Sequence, residues 1–315
     1  MGKSDTALVT WLGNKERFAD LYNASVFQGE QVIGAEQLET DKTAAKELIE
    51  DKNGVLHTIE RNRDIVMKWD DGISLVLLAC ENQDKIHYAM PVRTMLYDGL
   101  SYAEQIRQLR SKTKQQKVKD SDEFLSGMGK EDKLYPVITL VFYYGDKVWD
   151  GSKDLYGLLK KSTNPKVREL VKKMVSNYYI NLVDVNQLED TSLYKTDLQV
   201  VLEMLRYKKD KKKIQAYVQE KSDFFRHVDK DTYNVLRVLL KAEKQMEAIK
   251  NQEEIDMCEA LQGIFDDGKE EGEKIGKSQG RMEVLLELVK EGVLNISQAA
   301  DKAGKTEAEF QELLK

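Results

Sequence analysis

Apolar residues recur at helical intervals over residues 5–24 (Leu8, Leu12, Phe18, Leu21, Tyr22), which predicts a first amphipathic helix. Thr40–Glu50 reads as a second, shorter helix. The period then changes. Ile73-Ser-Leu-Val-Leu-Leu-Ala-Cys80 is almost wholly apolar, short and rich in branched residues, so it predicts a buried strand that ends in Glu81-Asn82-Gln83. Arg63–Trp69 reads as the strand before it and Asp70-Asp71-Gly72 as the turn, which makes a hairpin. Pro91 suits a first helical position, and Val92, Met95, Leu96, Tyr102, Ala103 and Ile106 then mark an apolar helix face. Leu134–Tyr144 is the next buried strand, closed by Gly145 and Asp146, and its arrival after a long helix implies a crossover connection. Tyr178–Val185 is a third strand candidate. Helix, strands, helix, strand is the order of an α/β core.

From about Thr196 the pattern becomes helical, with apolar periodicity over Asp197–Tyr207, Thr232–Lys250 and Ile255–Phe265. Gly268, Gly272, Gly276 and Gly280 then recur every four residues. In a helix they would fall near one face, each at a cost of about 1 kcal/mol relative to alanine; a charged, frayed linker is the other reading. Met282–Glu291 predicts a helix stopped by Gly292, and Thr306-Glu-Ala-Glu309 is a capping box that opens a last helix after Gly304. The expected organisation is an α/β domain over 1–190, a helical extension over 191–265, and a glycine-spaced linker helix with a C-terminal helical hairpin over 266–315.

Composition narrows the function classes. A charged fraction of 33% and no apolar run near the roughly 20 residues of a bilayer span argue against a membrane partner. The N-terminus Met-Gly-Lys-Ser-Asp also lacks the apolar core of a signal peptide, so a cytoplasmic protein is expected. Cys80 and Cys258 show no C-x-x-C spacing and are expected to be reduced thiols. The net charge of -6 gives no general attraction to nucleic acid. Locally, Arg107–Lys119 holds six basic residues and no acidic one, and Lys208–Lys213 holds five lysines around Asp210; phosphate contact and a solvated helix end or loop fit each. His57, His87 and His227 have no metal-ligand spacing, and no serine or cysteine sits in a nucleophile motif. Trp149 and the tyrosines at 143, 144, 178 and 179 read as core rather than as a base-stacking platform.

The candidate chemistry lies around the first hairpin. In a strand, Glu81 and Gln83 point the same way, and pairing of 63–69 with 73–80 can bring Asp64 close to Glu81. That outlines a two-carboxylate metal site, although either acid considered singly reads as a solvated strand end. With their surroundings these residues resemble the Rpn/YhgA-like family of recombination-promoting nucleases and transposases, within the PD-(D/E)XK nuclease superfamily. The resemblance covers roughly residues 10–270. It is carried by Arg63-Asp64-Ile-Val, by Cys80-Glu-Asn-Gln-Asp-Lys and its continuation to Tyr97-Asp98, by Phe124-Leu-Ser-Gly, by Tyr135-Pro-Val-Ile-Thr-Leu-Val-Phe-Tyr and by Val148-Trp-Asp-Gly151.

The resemblance implies a restriction-endonuclease-like core, a mixed sheet flanked by helices, followed by a helical C-terminal region. It implies a metal-dependent DNA endonuclease associated with recombination or mobile elements, with Asp64, Glu81 and Gln83 as the catalytic set. Mg2+ (or Mn2+) would be held by Asp64, Glu81 and the backbone carbonyl of Asn82. Gln83 stands where the superfamily carries a lysine. It can donate a hydrogen bond but brings neither charge nor a titrating base, so slow cleavage is expected. Arg93 and Tyr97, four apart on a helix, could face the site together, with Arg93 supplying charge to a phosphate or pairing with an acidic neighbour instead. Lys85 is a further candidate for that charge, and Glu16 or Asp20 could add an outer carboxylate if not simply solvated. The alternative is a catalytically weak DNA- or protein-binding module on the same fold. DNA is the expected partner, with a homo-oligomer formed through the C-terminal helices.

Overall fold

Ile73–Cys80 does form a strand, and the main sheet is built around it. The computed structural model describes residues 3–41, 44–50, 56–62, 65–70, 72–80, 86–113, 121–240, 242, 254–258, 261, 276–277 and 280–314. The chain divides into two compact units, Met1–Asp210 with Asp229–Lys241, and Lys211–Val228 with Ala242–Lys315.

The first unit holds a five-stranded mixed sheet. Its strands are β1 (Leu38–Thr40), β4 (Ile65–Trp69), β5 (Ile73–Cys80), β6 (Val137–Tyr143) and β7 (Asn181–Asp184), in that spatial order. β2 (Ala44–Glu50) and β3 (Leu56–Asn62) form a separate antiparallel ribbon, Ala44 opposite Asn62. β4 and β5 are antiparallel, Ile65 opposite Leu77 and Trp69 opposite Ile73. Gly72 closes their turn at φ +81°, a conformation that favours glycine, and its N–H donates to Trp69 O at 3.0 Å. β6 runs parallel to β5, with Cys80 opposite Tyr143, and β7 runs parallel to β6. The parallel pairing requires the predicted crossover, which is made by α3 (Met90–Thr113) and α4 (Ser121–Ser126). Pro91 lies in the first turn of α3 as expected.

α3 covers the face of β6 that carries the odd-numbered residues. Met90 packs with Val141 and Tyr143, and Tyr97 packs with Val137 and with Val66 of β4. The even-numbered Leu140 and Phe142 are buried on the other face. α1 (Lys3–Leu12) and α2 (Lys15–Val26) belong to the same unit, and the Tyr22 hydroxyl of α2 donates to Ile138 O at 3.1 Å. α5 (Pro165–Met174), α6 (Leu198–Tyr207) and α9 (Lys230–Leu239) complete it.

Several expectations need correction. The helix expected over 5–24 is two helices, because Gly13 ends the first and Asn14 caps the second, accepting from Glu16 N at 2.9 Å and Arg17 N at 3.3 Å. Thr40–Glu50 is not helical: Thr40 ends β1, and 44–50 pairs along its whole length with β3. The inward face of α3 is not the apolar row. Val92, Met95 and Leu96 are exposed, whereas Thr94, Tyr97, Asp98 and Ser101 are buried. Asp98 can face inward because Thr139 of β6 and Tyr178 donate to it, and Ser101 because it donates to Tyr97 O of its own helix. Tyr143, Tyr144 and Trp149 are core, Tyr178 is half-buried, and Tyr179 is 67% exposed. The third strand is shorter than expected, four residues.

In the second unit, α7 (Lys211–Glu220) and α8 (Ser222–Arg226) share a small core in which the Tyr217 and Phe225 rings meet edge to face at 6.2 Å. Ile255 lies in a two-residue strand, Glu254–Ile255, rather than opening a helix, and helical backbone starts at Met257. The helix expected over 232–250 ends at Leu239 among the described residues. The last three helices are α10 (residues 280–290), α11 (Ile296–Ala303) and α12 (Glu307–Leu313). They bury Leu285, Ala299, Ala300 and Phe310 together. Gly292 (φ +73°) stops α10, Gly304 (φ +65°) stops α11, and the Thr306/Glu309 capping box opens α12, as the sequence predicts. Gly268 and Gly272 lie outside the described residues. Among the described residues no helix is long and apolar enough to cross a membrane.

Candidate functional site

Asp64, Glu81, Asn82, Gln83 and Lys85 lie outside the described residues. The strands that flank them are described. β4 begins at Ile65, the residue after Asp64, and β5 ends at Cys80, the residue before Glu81. These two strands are neighbours in one antiparallel ladder.

α3 brings Arg93 and Tyr97 together, as their spacing predicts. The Arg93 Nη2 group donates to Tyr97 Oη at 3.4 Å, and its guanidinium carbon lies 5.5 Å from the ring centroid. Tyr97 is only 5% exposed and packs on Val66, two residues along β4 from Asp64, so this pair lies over the start of β4. One turn away the Thr94 hydroxyl is buried with no hydrogen-bond partner among the described residues.

Asp98, the residue after Tyr97, has a task that its place in the sequence does not announce. Its carboxylate is buried and accepts from Thr139 Oγ1 of β6 at 2.6 Å and from the Tyr178 hydroxyl at 2.5 Å. Asn181 joins the group by donating to Thr139 O at 2.9 Å. An acid one residue past an apolar helix position gives no local sign of this, because both partners are remote in sequence. Burial, with the hydrogen bond and charge of Asp98, pushes the Tyr178 phenol well above its ordinary pKa. The neutral phenol is therefore favoured by folding. This stabilisation is complete below the ordinary phenol pKa of 10.0 and declines as pH rises beyond it. Tyr178→Phe should cost about 1.5 to 3 kcal/mol, the range for a hydrogen bond to a charged group, and should flatten the alkaline limb of a urea-unfolding pH series. An unchanged limb would show that the phenol is not what titrates.

Two other carboxylates have structural tasks. Asp20 is buried rather than solvated, and it accepts from Lys195 N, Thr196 N (2.8 Å) and Thr196 Oγ1 (2.7 Å), which holds the entry to α6. These bonds engage its carboxylate, while Glu16 is exposed. Asp184, at the end of β7, accepts from Trp149 N at 2.9 Å and from Asn186 N at 3.0 Å. Burial, then the Asp184 charge, raises the pKa of the neighbouring Tyr143.

The basic segments singled out in the sequence are partly occupied. Arg107 pairs with Glu104 at 2.7 Å, Lys208 pairs with Asp146 at 2.7 Å, and Lys209 donates to Asp146 O at 2.7 Å. A pocket of about 520 Å³ opens at the other end of the β4–β5 hairpin, lined by Trp69, Gly72, Ile73 and Tyr135 with a mixture of acids and Lys68. Among the described residues no three His, Cys, Asp or Glu side chains gather as a metal site. Cys258 is a free thiol raised in pKa by burial, then by Asp256.

Residues 81–235 match the family model described as "Putative transposase, YhgA-like". The matched region begins at Glu81 and takes in α3, β6, β7 and most of α9. This similarity to a YhgA-like family spans just under half of the chain. No curated protein and no solved structure matches it.

Proposed function

We propose that this protein is a metal-dependent DNA endonuclease associated with mobile elements, built on a restriction-endonuclease-like core. Three observations support the reading. Residues 81–235 match the model described as "Putative transposase, YhgA-like". The sheet is mixed, with an antiparallel β4–β5 hairpin followed by a helical crossover to a parallel strand. Asp64 and Glu81 directly adjoin the two strands of that hairpin, and this adjacency is the observation that carries the proposal.

Two carboxylates and the Asn82 carbonyl are hard oxygen donors, the set that suits Mg2+ or Mn2+. When bound, such an ion supplies Lewis-acid stabilisation at a scissile phosphate and lowers the pKa of a bound water. The chain's own residues do the rest. Gln83 orients water or a phosphate oxygen through its amide, and Arg93, already stacked on Tyr97, offers a cation over the start of β4. Lys85 stands by sequence just beyond Gln83 as another source of charge.

Supercoiled plasmid incubated with the protein should be nicked when Mg2+ or Mn2+ is present and left intact in EDTA. Cleavage in EDTA would overturn the role of the ion. Gln83, which cannot supply a charge in the lysine position, favours a second reading, a binding module with little catalysis. Retention of DNA without cleavage under either ion would select it.

A further inference from the structure

α5 is a helix with no buried residue, yet it is held at both ends. Asn164 caps its start by accepting from Lys166 N at 3.0 Å, and Arg168 Nη1 donates to Ser162 O and Thr163 O, both at 2.9 Å. At the other end the Tyr156 hydroxyl donates to Lys172 O at 3.2 Å and Val175 O at 2.6 Å. A ten-residue helix is marginal in water without packing, so these end contacts hold in place a surface that the core does not need.

That surface is cationic. Between 160 and 173 stand Lys160, Lys161, Lys166, Arg168, Lys172 and Lys173, all exposed, against one acid, Glu169. No ion pair among the described residues engages these five ammonium groups, in contrast to Arg107 and Lys208. Helical spacing sets Lys166, Lys172 and Lys173 around Glu169, three cations to one acid, with Leu170 bordering Lys166 and Lys173. On a chain of net charge -6, a held surface segment with six cations to one acid marks where a polyanion can approach.

We infer that α5 and the lysines before it form the surface that holds the phosphate backbone of duplex DNA, without reading bases. The inference rests on the nucleic-acid function proposed above. The function proposed above and the cations continuing off the helix at Lys160 and Lys161 favour DNA over an anionic lipid surface. Lysine ammoniums act as point charges on phosphates and carry no sequence information.

The test is duplex binding by the full chain in EDTA over a series of salt concentrations, comparing wild type with Lys166→Ala/Lys172→Ala/Lys173→Ala. Each lost phosphate contact should reduce the slope of log affinity against log salt by about 0.9, so the triple variant should lose about 2.7, and at low salt it should bind at least about tenfold more weakly. Lys15→Ala/Lys130→Ala/Lys147→Ala, the same charge change at exposed sites elsewhere, should keep the wild-type slope. Thermal melting should be unchanged in both. Equal slopes for wild type and the α5 variant would overturn this surface and leave the nuclease reading standing. Absence of duplex binding by the wild type would overturn both. Binding to phosphatidylglycerol vesicles but not to duplex, lost in the α5 variant, would overturn DNA as the occupant.

Discussion

Asp64→Ala is expected to lower ion-dependent plasmid nicking on the order of a thousandfold, and Glu81→Ala to do the same. Each substitution removes one of two proposed carboxylate donors. Metal-based stabilisation of transition-state charge is worth several kcal/mol, and about 1.4 kcal/mol corresponds to each tenfold in rate. The loss should not be additive: the double variant should be no worse than either single one, because a cation gripped by one carboxylate is already mispositioned. Asp64→Asn discriminates further, since it keeps the size and one neutral oxygen while removing the charge. Residual nicking should rise with ion concentration in that variant if the defect is weakened binding. Wild-type rates in Asp64→Ala would place the chemistry elsewhere and end the proposal.

The second large effect concerns stability. Arg17→Met should destabilise the first unit by about 3 kcal/mol, the lower end for breaking a buried ion pair, or roughly 6 to 12 °C in melting temperature for a unit of this size. Arg17 donates to Asp197 from Nε (2.9 Å) and Nη2 (2.7 Å), and its Nη2 also reaches Asp229 (3.2 Å) and Thr232 Oγ1 (2.9 Å). Its guanidinium carbon lies 4.6 Å from the centre of the Trp11 ring, and the Trp11 indole donates to the same Thr232 hydroxyl at 2.9 Å. Methionine would keep the packing volume and strand Asp197, a side chain only 15% exposed, without its cation. Arg17→Lys should recover part of the loss, because an ammonium restores charge but not the two-pronged geometry.

The same cluster has a pH signature. Burial opposes the charge of Asp229, but hydrogen bonds from Thr232 and the nearby Arg17 outweigh it and hold its pKa below the ordinary carboxylate value. A depressed carboxylate stabilises the fold above its unfolded pKa and loses that contribution as pH falls through the folded one. Arg17→Met should therefore narrow the stability gap to wild type on the acid side, below pH of about 4. A gap that stayed constant there would assign the effect to packing alone.

How much of this was legible depends on the range of each interaction. β5 and β6 are readable because a short run of consecutive branched apolar residues suits a strand, and Ile73–Cys80 and Val137–Tyr143 carry such runs. The Thr306 capping box and the glycine stops were readable because a cap is satisfied within three residues. Ala44–Glu50 was misread because Ala-Ala-Lys-Glu-Leu-Ile-Glu suits a helix locally, and only pairing with β3 makes it a strand. The break at Gly13-Asn14 was present as a capping signal and was overridden by the apolar spacing on either side. Arg17 with Asp197, and Asp98 with Tyr178, span 180 and 80 residues, so no local pattern announces either. For the candidate site, the Arg93–Tyr97 pairing followed from helical spacing, whereas the hydrophilic underside of α3 did not.

That underside limits how α3 can move. An amphipathic helix seated on a greasy stripe can slip or roll at small cost, since one methyl replaces another. Here a roll of a few tens of degrees would pull Asp98 off both hydroxyls and set a bare charge against hydrocarbon, a penalty of several kcal/mol. The carboxylate thus works as a locating pin, and the azimuth of Arg93 above β4 is set from beneath the helix it stands on.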